Sequence, residues 1–267
     1  LDHSLKAICV ITCVALLYGF HELVQKLSYR KLPFAIAYLI FVPVGWNYLA
    51  LNSIYHSYDL PSLAFFCWGI VFFLQKRFFL FYLLFVVASL NRESTCFITI
   101  AVFALLLDLP KLNFRSLSLA WTKNKNLVFH CTAQAMLWFL VKAVLENIYK
   151  DNPGYFFEET LSMKKFLCDM WHGNPSWPYL QTTNFFGNPR CFLTLFACLW
   201  LAIPFLWQDI PMAAKRLFWV TLPYLLSALM FANLMESRVY HELNVVLAAS
   251  VATGLGAKLS WSPIDSN

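Results

Sequence analysis

Apolar runs of helical length recur at about residues 4–20, 33–55, 60–75, 78–91, 93–109, 127–149, 191–207, 217–235 and 243–259, separated by polar or charged connections. Such runs read as membrane-crossing helices, each needing about 20 residues at a rise of about 1.5 Å. The pattern predicts an all-α, polytopic transmembrane helix bundle of about nine spans, a single transmembrane domain over residues 1–267. No internal repeat or low-complexity segment interrupts it. Several runs are short. Phe78 to Leu90 is 13 residues, which gives about 20 Å against a hydrocarbon core of about 30 Å. The polar residues that follow, Asn91, Arg92, Glu93 and Ser94, are therefore expected below the membrane surface, in a protein-lined or wet cavity.

Composition reinforces the pattern. Apolar residues make up 60% of the chain and charged residues 13%, with 26 Phe, against roughly 25% charged in a soluble domain. A water-exposed surface cannot accommodate that much apolar area, and disorder, coiled coil and a small disulfide scaffold are excluded too. The net charge of +6 forms no nucleic-acid stripe. It sits in clusters: Lys26, Arg30 and Lys31; Lys76 and Arg77; Lys111, Arg115, Lys123 and Lys125; Lys215 and Arg216; and Lys258. These occupy every second connection, which assigns that side to the cytoplasm. The chain opens at Leu1 in helical-looking sequence, so a missing N-terminal segment is expected. Residues 5–20 resemble a signal-peptide core but lack a small-residue cleavage site, which favours a retained helix.

The remaining connections face outward. The longest, over residues 150–190, carries Met163, Phe166, Leu167, Met170 and Trp171 at helical spacing, opposite Lys164, Lys165 and Asp169. That predicts an amphipathic helix over 161–171 lying on the outer interface, with Trp171, Trp177 and Tyr179 at headgroup level. The eight Cys form no CxxC pair and no zinc spacing. Cys168 and Cys191 flank the long loop and are candidates for a disulfide.

Three outer segments carry candidate chemistry. Arg92–Glu93 is either a tight turn whose charges reach water or an anion-binding Arg beside an oriented carboxylate. Glu236-Ser237-Arg238-Val239-Tyr240-His241-Glu242 is either a helix mouth closed by an Arg238–Glu242 pair at i, i+4 or part of a site. Its His241-Glu242 is not a zinc HExxH, because Val245 stands at the fifth position. Asp59, between Tyr58 and Leu60-Pro61 and near His56, is either a helix N-cap or a general base. Lys142, four residues before Glu146, belongs to the same half of the membrane. A pocket mixing these groups suits a phosphate or pyrophosphate bearing a transferable group. Arg grips phosphate oxygens, a carboxylate takes a hydroxyl proton, and two carboxylates can hold a divalent cation.

The run Tyr58-Asp59-Leu60-Pro61, then Leu90-Asn91-Arg92-Glu93-Ser94-Thr95, then Glu236-Ser237-Arg238-Val239-Tyr240-His241-Glu242-Leu243 resembles a group of bacterial multi-pass membrane proteins. That group carries an Asn-Arg-Glu-Ser/Thr motif and a late Glu-x-Arg-x-Tyr-x-Glu motif. It is similar in turn to the GT-C glycosyltransferases, which take sugars from polyprenyl-phosphate carriers at the outer membrane face. The resemblance spans roughly residues 55–245. It departs at one position: GT-C enzymes place a catalytic acid in the first outer loop, after the first helix, a region expected to be lost with the missing N-terminal segment, and Asp2 is a poor substitute. The resemblance implies a membrane transferase acting on a lipid-linked phosphate donor at the extracytoplasmic face, in glycosyl transfer for cell-envelope glycan assembly. Asp59 and Glu93 would be catalytic. His56, Arg92, Lys142, Glu236, Arg238, Tyr240, His241 and Glu242 would bind substrate, with a divalent cation as a candidate cofactor. Two alternatives stay open: a transporter or flippase for an anionic lipid-linked substrate, which would need polar residues continuing to the inner face, and a non-catalytic membrane subunit.

Overall fold

The computed structural model describes residues 3–46, 59–106, 125–151, 195–231 and 240–259. Every regular element among them is helical. In chain order these are α1 (His3–Ser28), a 3-10 turn (Phe34–Ile40) running into α2 (Phe41–Gly45), α3 (Asp59–Leu74) and α4 (Phe78–Asn91). A 3-10 turn (Glu93–Thr95) then leads into α5 (Cys96–Leu106), followed by α6 (Lys125–Ile148). A 3-10 segment (Leu195–Leu201) runs into α7 (Ala202–Leu206), followed by α8 (Met212–Phe218), α9 (Thr221–Phe231) and α10 (His241–Lys258). The all-α class is as the pattern predicts, and each apolar run contains helix. Two helical stretches, Lys6–Ser28 and Lys125–Ile148, are long and apolar enough to cross a membrane. Shorter apolar helices among the described residues, such as Asp59–Leu74 and Phe78–Asn91, run 10–17 residues. The predicted helix at 161–171 and the Cys168–Cys191 pair lie outside the described residues.

One boundary differs from the pattern. The first apolar run ends near residue 20, yet α1 continues to Ser28. Its last turns hold because Leu23, Val24 and Leu27 are buried in the core. The polar residues among them serve each other: Gln25 Nε2 lies 3.0 Å from His21 Nε2, one turn back, and His21 Nε2 lies 3.2 Å from the Leu32 carbonyl oxygen. Lys26 thus belongs to the last turn of α1, where a cation complements the helix dipole.

The centre of the bundle is α10. Every residue from His241 to Gly254 is buried because α1, α2, α3, α7 and α8 pack around the helix, and the hydroxyls of Ser250 and Thr253 donate to carbonyls one turn back. Alongside, α1 and α3 approach closely at Gly19. Trp68 Nε1 donates a 2.8 Å hydrogen bond to the Ala15 carbonyl, and a Cβ at position 19 would stand 2.7 Å from the same nitrogen. Glycine is the residue that fits there, since overpacking costs about 1–3 kcal/mol.

α6 is seated differently. It packs on α4 and α5, buries only Leu127, Gln134 and Val141, and turns Phe129, Met136, Phe139 and Leu140 outward. What joins it to the bundle is a line of residues four apart. Tyr82 Oη lies 2.9 Å from His130 Nδ1, Thr99 donates to Gln134 Oε1 at 2.7 Å, and Trp138 Nε1 donates to the Glu93 carbonyl at 3.0 Å. The fourth contact is Lys142 Nζ to Glu93 Oε1 at 3.5 Å. Hydrogen bonds of this kind contribute about 0.5–1.5 kcal/mol each.

The helix directions sort the charges. The starts of α3, α5 and α10 meet the end of α4 at one end of the bundle, which holds Asp59, Arg92, Glu93 and Glu242. The opposite end carries Lys76, Arg77 and Lys258. There Arg216 Nη1 donates to the last-turn carbonyl of Leu105 on α5, at 3.3 Å.

Candidate functional site

The turn between α4 and α5 sets the site. Arg92 leaves the helix in an extended conformation (φ −159°, ψ 142°), so its side chain and that of Glu93 project to opposite sides. Thr95 pins the turn, with its hydroxyl donating to the Arg92 carbonyl at 2.8 Å. Arg92 points into the bundle and is 18% exposed, whereas Glu93 points out and is 70% exposed.

Inside, Arg92 Nη1 meets Asp59 Oδ1 at 3.0 Å and Glu242 Oε1 at 3.9 Å. Asp59 is fully buried in the first turn of α3 and faces a second element, since its Oδ2 lies 3.8 Å from Nδ1 of the equally buried His241. Ser62, one turn on, donates to the Asp59 backbone carbonyl at 2.6 Å. Glu242, 2% exposed, accepts hydrogen bonds from Ser94 Oγ and from Tyr224 Oη. The Tyr224 ring is held against Phe97, with centroids 4.1 Å apart. Both carboxylates stand in the first turn of a helix, α3 or α10, where the positive end of the macrodipole favours an anion. Tyr240, just before α10, is buried, and that burial pushes its phenol up to about 12, so it serves as a neutral hydroxyl.

Beside Glu242 lies a small crevice with room for about one water molecule, walled by Phe65, Phe66 and Ile98 and edged by the hydroxyls of Ser62, Ser94 and Thr95. Its chemistry is an apolar wall with hydrogen-bonding groups and one oriented carboxylate. Lys142 and Glu93 form a separate pair on the outer rim, with the Lys142 ammonium 5.4 Å from the centre of the Trp138 ring. Among the described residues no three His, Cys, Asp or Glu side chains are arranged to hold a metal ion.

Of the residues singled out in the sequence, Asp59, Arg92, His241 and Glu242 come together. Tyr240 is buried next to them in the chain, and Lys142 pairs with Glu93. His56, Glu236 and Arg238 lie outside the described residues, so the Arg238–Glu242 pairing does too. Glu242 itself is engaged by Ser94, Tyr224 and Arg92. Sequence reasoning missed Tyr224, Ser62 and Trp138. For Tyr224 the available signal is a phenol within an apolar run, because a buried Tyr hydroxyl requires a partner. Replacing Tyr224 by Phe removes a hydrogen bond to a buried carboxylate and should cost about 1.5–3 kcal/mol, measured as a lower unfolding midpoint in detergent. An unchanged midpoint would show that Glu242 finds an equal donor elsewhere.

The chain matches no protein-family model, no curated protein and no solved structure.

Proposed function

We propose that the chain is a multi-pass protein of about nine spans in a bacterial inner membrane. In this reading it transfers a glycosyl group from a polyprenyl-phosphate donor at the extracytoplasmic face, for assembly of envelope glycans. The observation that supports it is the meeting of Asp59, Arg92 and Glu242, drawn from three segments far apart in sequence, beside the crevice. A bundle that only needed to hold together would not require two buried carboxylates around one guanidinium, since buried ion pairs are weak contributors to stability. The roles follow from position. Arg92, oriented by Asp59, supplies positive charge for the donor phosphate. Glu242, oriented by Ser94 and Tyr224, faces the crevice as the base that takes the acceptor hydroxyl proton. Lys142 stands at the rim. His56, Glu236 and Arg238 complete the site in the sequence-level assignment.

A long-chain polyprenyl phosphate, added to the purified protein in nanodiscs, tests this. Binding at 100 times Kd should stabilise the fold by about 2.7 kcal/mol, and an uncharged polyprenol should not. Equal effects of the two lipids would remove the phosphate-binding role of Arg92. A transporter for a similar anionic lipid is the second reading, and the line His130, Gln134, Trp138 and Lys142 along α6 favours it, because polar contacts there continue from the site end toward the opposite face.

A further inference from the structure

We infer that α6 is a lateral gate between the surrounding lipid and the site, latched at its site end by the Lys142–Glu93 pair. The inference rests on the lipid-donor reading for its purpose, but not for its geometry. α6 turns Phe129, Met136, Phe139 and Leu140 outward, and it buries only two apolar side chains, Leu127 and Val141. Its polar contacts to α4 and α5 are spaced one per four residues, His130, Gln134, Trp138 and Lys142, and between them only Cys131, Leu137 and Trp138 add partly buried apolar packing. Such contacts open without exposing a large apolar core, unlike those of α10, whose side chains are buried from His241 to Gly254.

Gln134 adds an independent sign. It is fully buried, its carbonyl oxygen accepts from Thr99, and its amide nitrogen has no hydrogen-bond partner among the described residues. A buried donor left over in a seam marks a contact that is incomplete when the seam is closed. The two ends of the seam also differ. The Tyr82–His130 contact is reinforced by stacking of Phe78 on His130, with centroids 4.3 Å apart, whereas the Lys142–Glu93 pair at the site end joins a half-buried ammonium to an exposed carboxylate. The helix is thus anchored where it is far from the site and releasable where it is near. Glu93 follows Arg92 directly, so parting of the latch uncovers the turn that carries the site. Cys96 stands at the head of α5, within electrostatic reach of Glu242, Glu93 and Lys142.

That cysteine reports the gate in the full-length chain. The protein in nanodiscs is exposed to N-ethylmaleimide, and alkylation of each native cysteine is followed by peptide mass spectrometry. Cys67, fully buried in α3, serves as the control for general loosening. Lys142→Met and Glu93→Gln each break the latch but shift the thiol's ionisation in opposite directions, so both should raise the alkylation rate of Cys96, by about threefold on average, the change expected from loss of one average polar contact between membrane helices, and leave Cys67 unchanged. Lys142→Arg, which keeps the latch, should give the wild-type rate. A Cys96 rate that falls in Lys142→Met and rises only in Glu93→Gln, or is unchanged in both, overturns the gate, and so does a rise in Cys67 that keeps pace with Cys96. The labelling involves neither donor nor turnover, so its outcome is separate from that of the polyprenyl-phosphate titration.

Discussion

Arg92→Leu is expected to destabilise the fold by about 3–5 kcal/mol, the largest stability effect of any single substitution at the site. The reason is the asymmetry of buried charge. Asp59 is wholly buried and Glu242 nearly so, and the Arg92 guanidinium reaches both, at 3.0 Å and 3.9 Å. Leu leaves two like charges in a low-dielectric interior facing one another across an apolar side chain, which neither water nor the helix dipoles can compensate fully. Unfolding in detergent, followed by circular dichroism, measures the loss. Arg92→Lys keeps the charge as a point without the planar fork and should lose less. The triple change Arg92→Leu, Asp59→Asn, Glu242→Gln removes charge from all three positions and should recover most of the stability. If Arg92→Leu unfolds at the wild-type midpoint, or the triple variant is no better than the single one, charge pairing does not organise this end of the bundle.

The sequence made much of this legible, and the limits have physical causes. Apolar runs located the helical segments because a helix in an apolar setting needs little more than length and absence of charge. They misplaced the end of α1, because hydropathy breaks at His21 and Glu22 whereas the backbone continues wherever polar side chains satisfy one another and Leu23, Val24 and Leu27 find a core. At the site, Asp59, Arg92 and Glu242 stood out because charge is costly in such surroundings. What spacing could not supply was direction. Arg92 and Glu93 are neighbours and look equivalent on paper, yet one extended residue sends the first inward and the second out. Tyr224, Ser62 and Trp138 carry no charge, so nothing in composition sets them apart from the other hydroxyls and indoles of an aromatic-rich chain. Their roles arise only from which helix lies opposite.

That difference in direction gives the second large effect. On the transferase reading, Glu242→Gln should lower glycosyl transfer by about 10²–10⁴-fold, the usual contribution of a general base, with a smaller loss of stability than Arg92→Leu, because Arg92 keeps Asp59. Gln has the same shape, its carbonyl oxygen still accepts from Tyr224, and the Ser94 hydroxyl can turn to accept from the new amide, so the packing around the crevice survives while proton affinity is lost. Glu93→Gln is the matched control. It removes a carboxylate that is 70% exposed and paired with Lys142 at 3.5 Å, an arrangement contributing about 0–1 kcal/mol, and transfer should stay within about threefold, since general-base chemistry is assigned to Glu242. The readout is the amount of surface glycan made in cells whose own gene is replaced by each variant, at matched levels of protein in the membrane. The sequence pattern names Asp59 and Glu93 as the catalytic carboxylates, and of these only Glu93 faces outward, so the two substitutions separate motif from geometry. Loss of glycan with Glu93→Gln and its retention with Glu242→Gln would return the base to the rim, and the buried cluster would then be a structural clamp that only orients the turn.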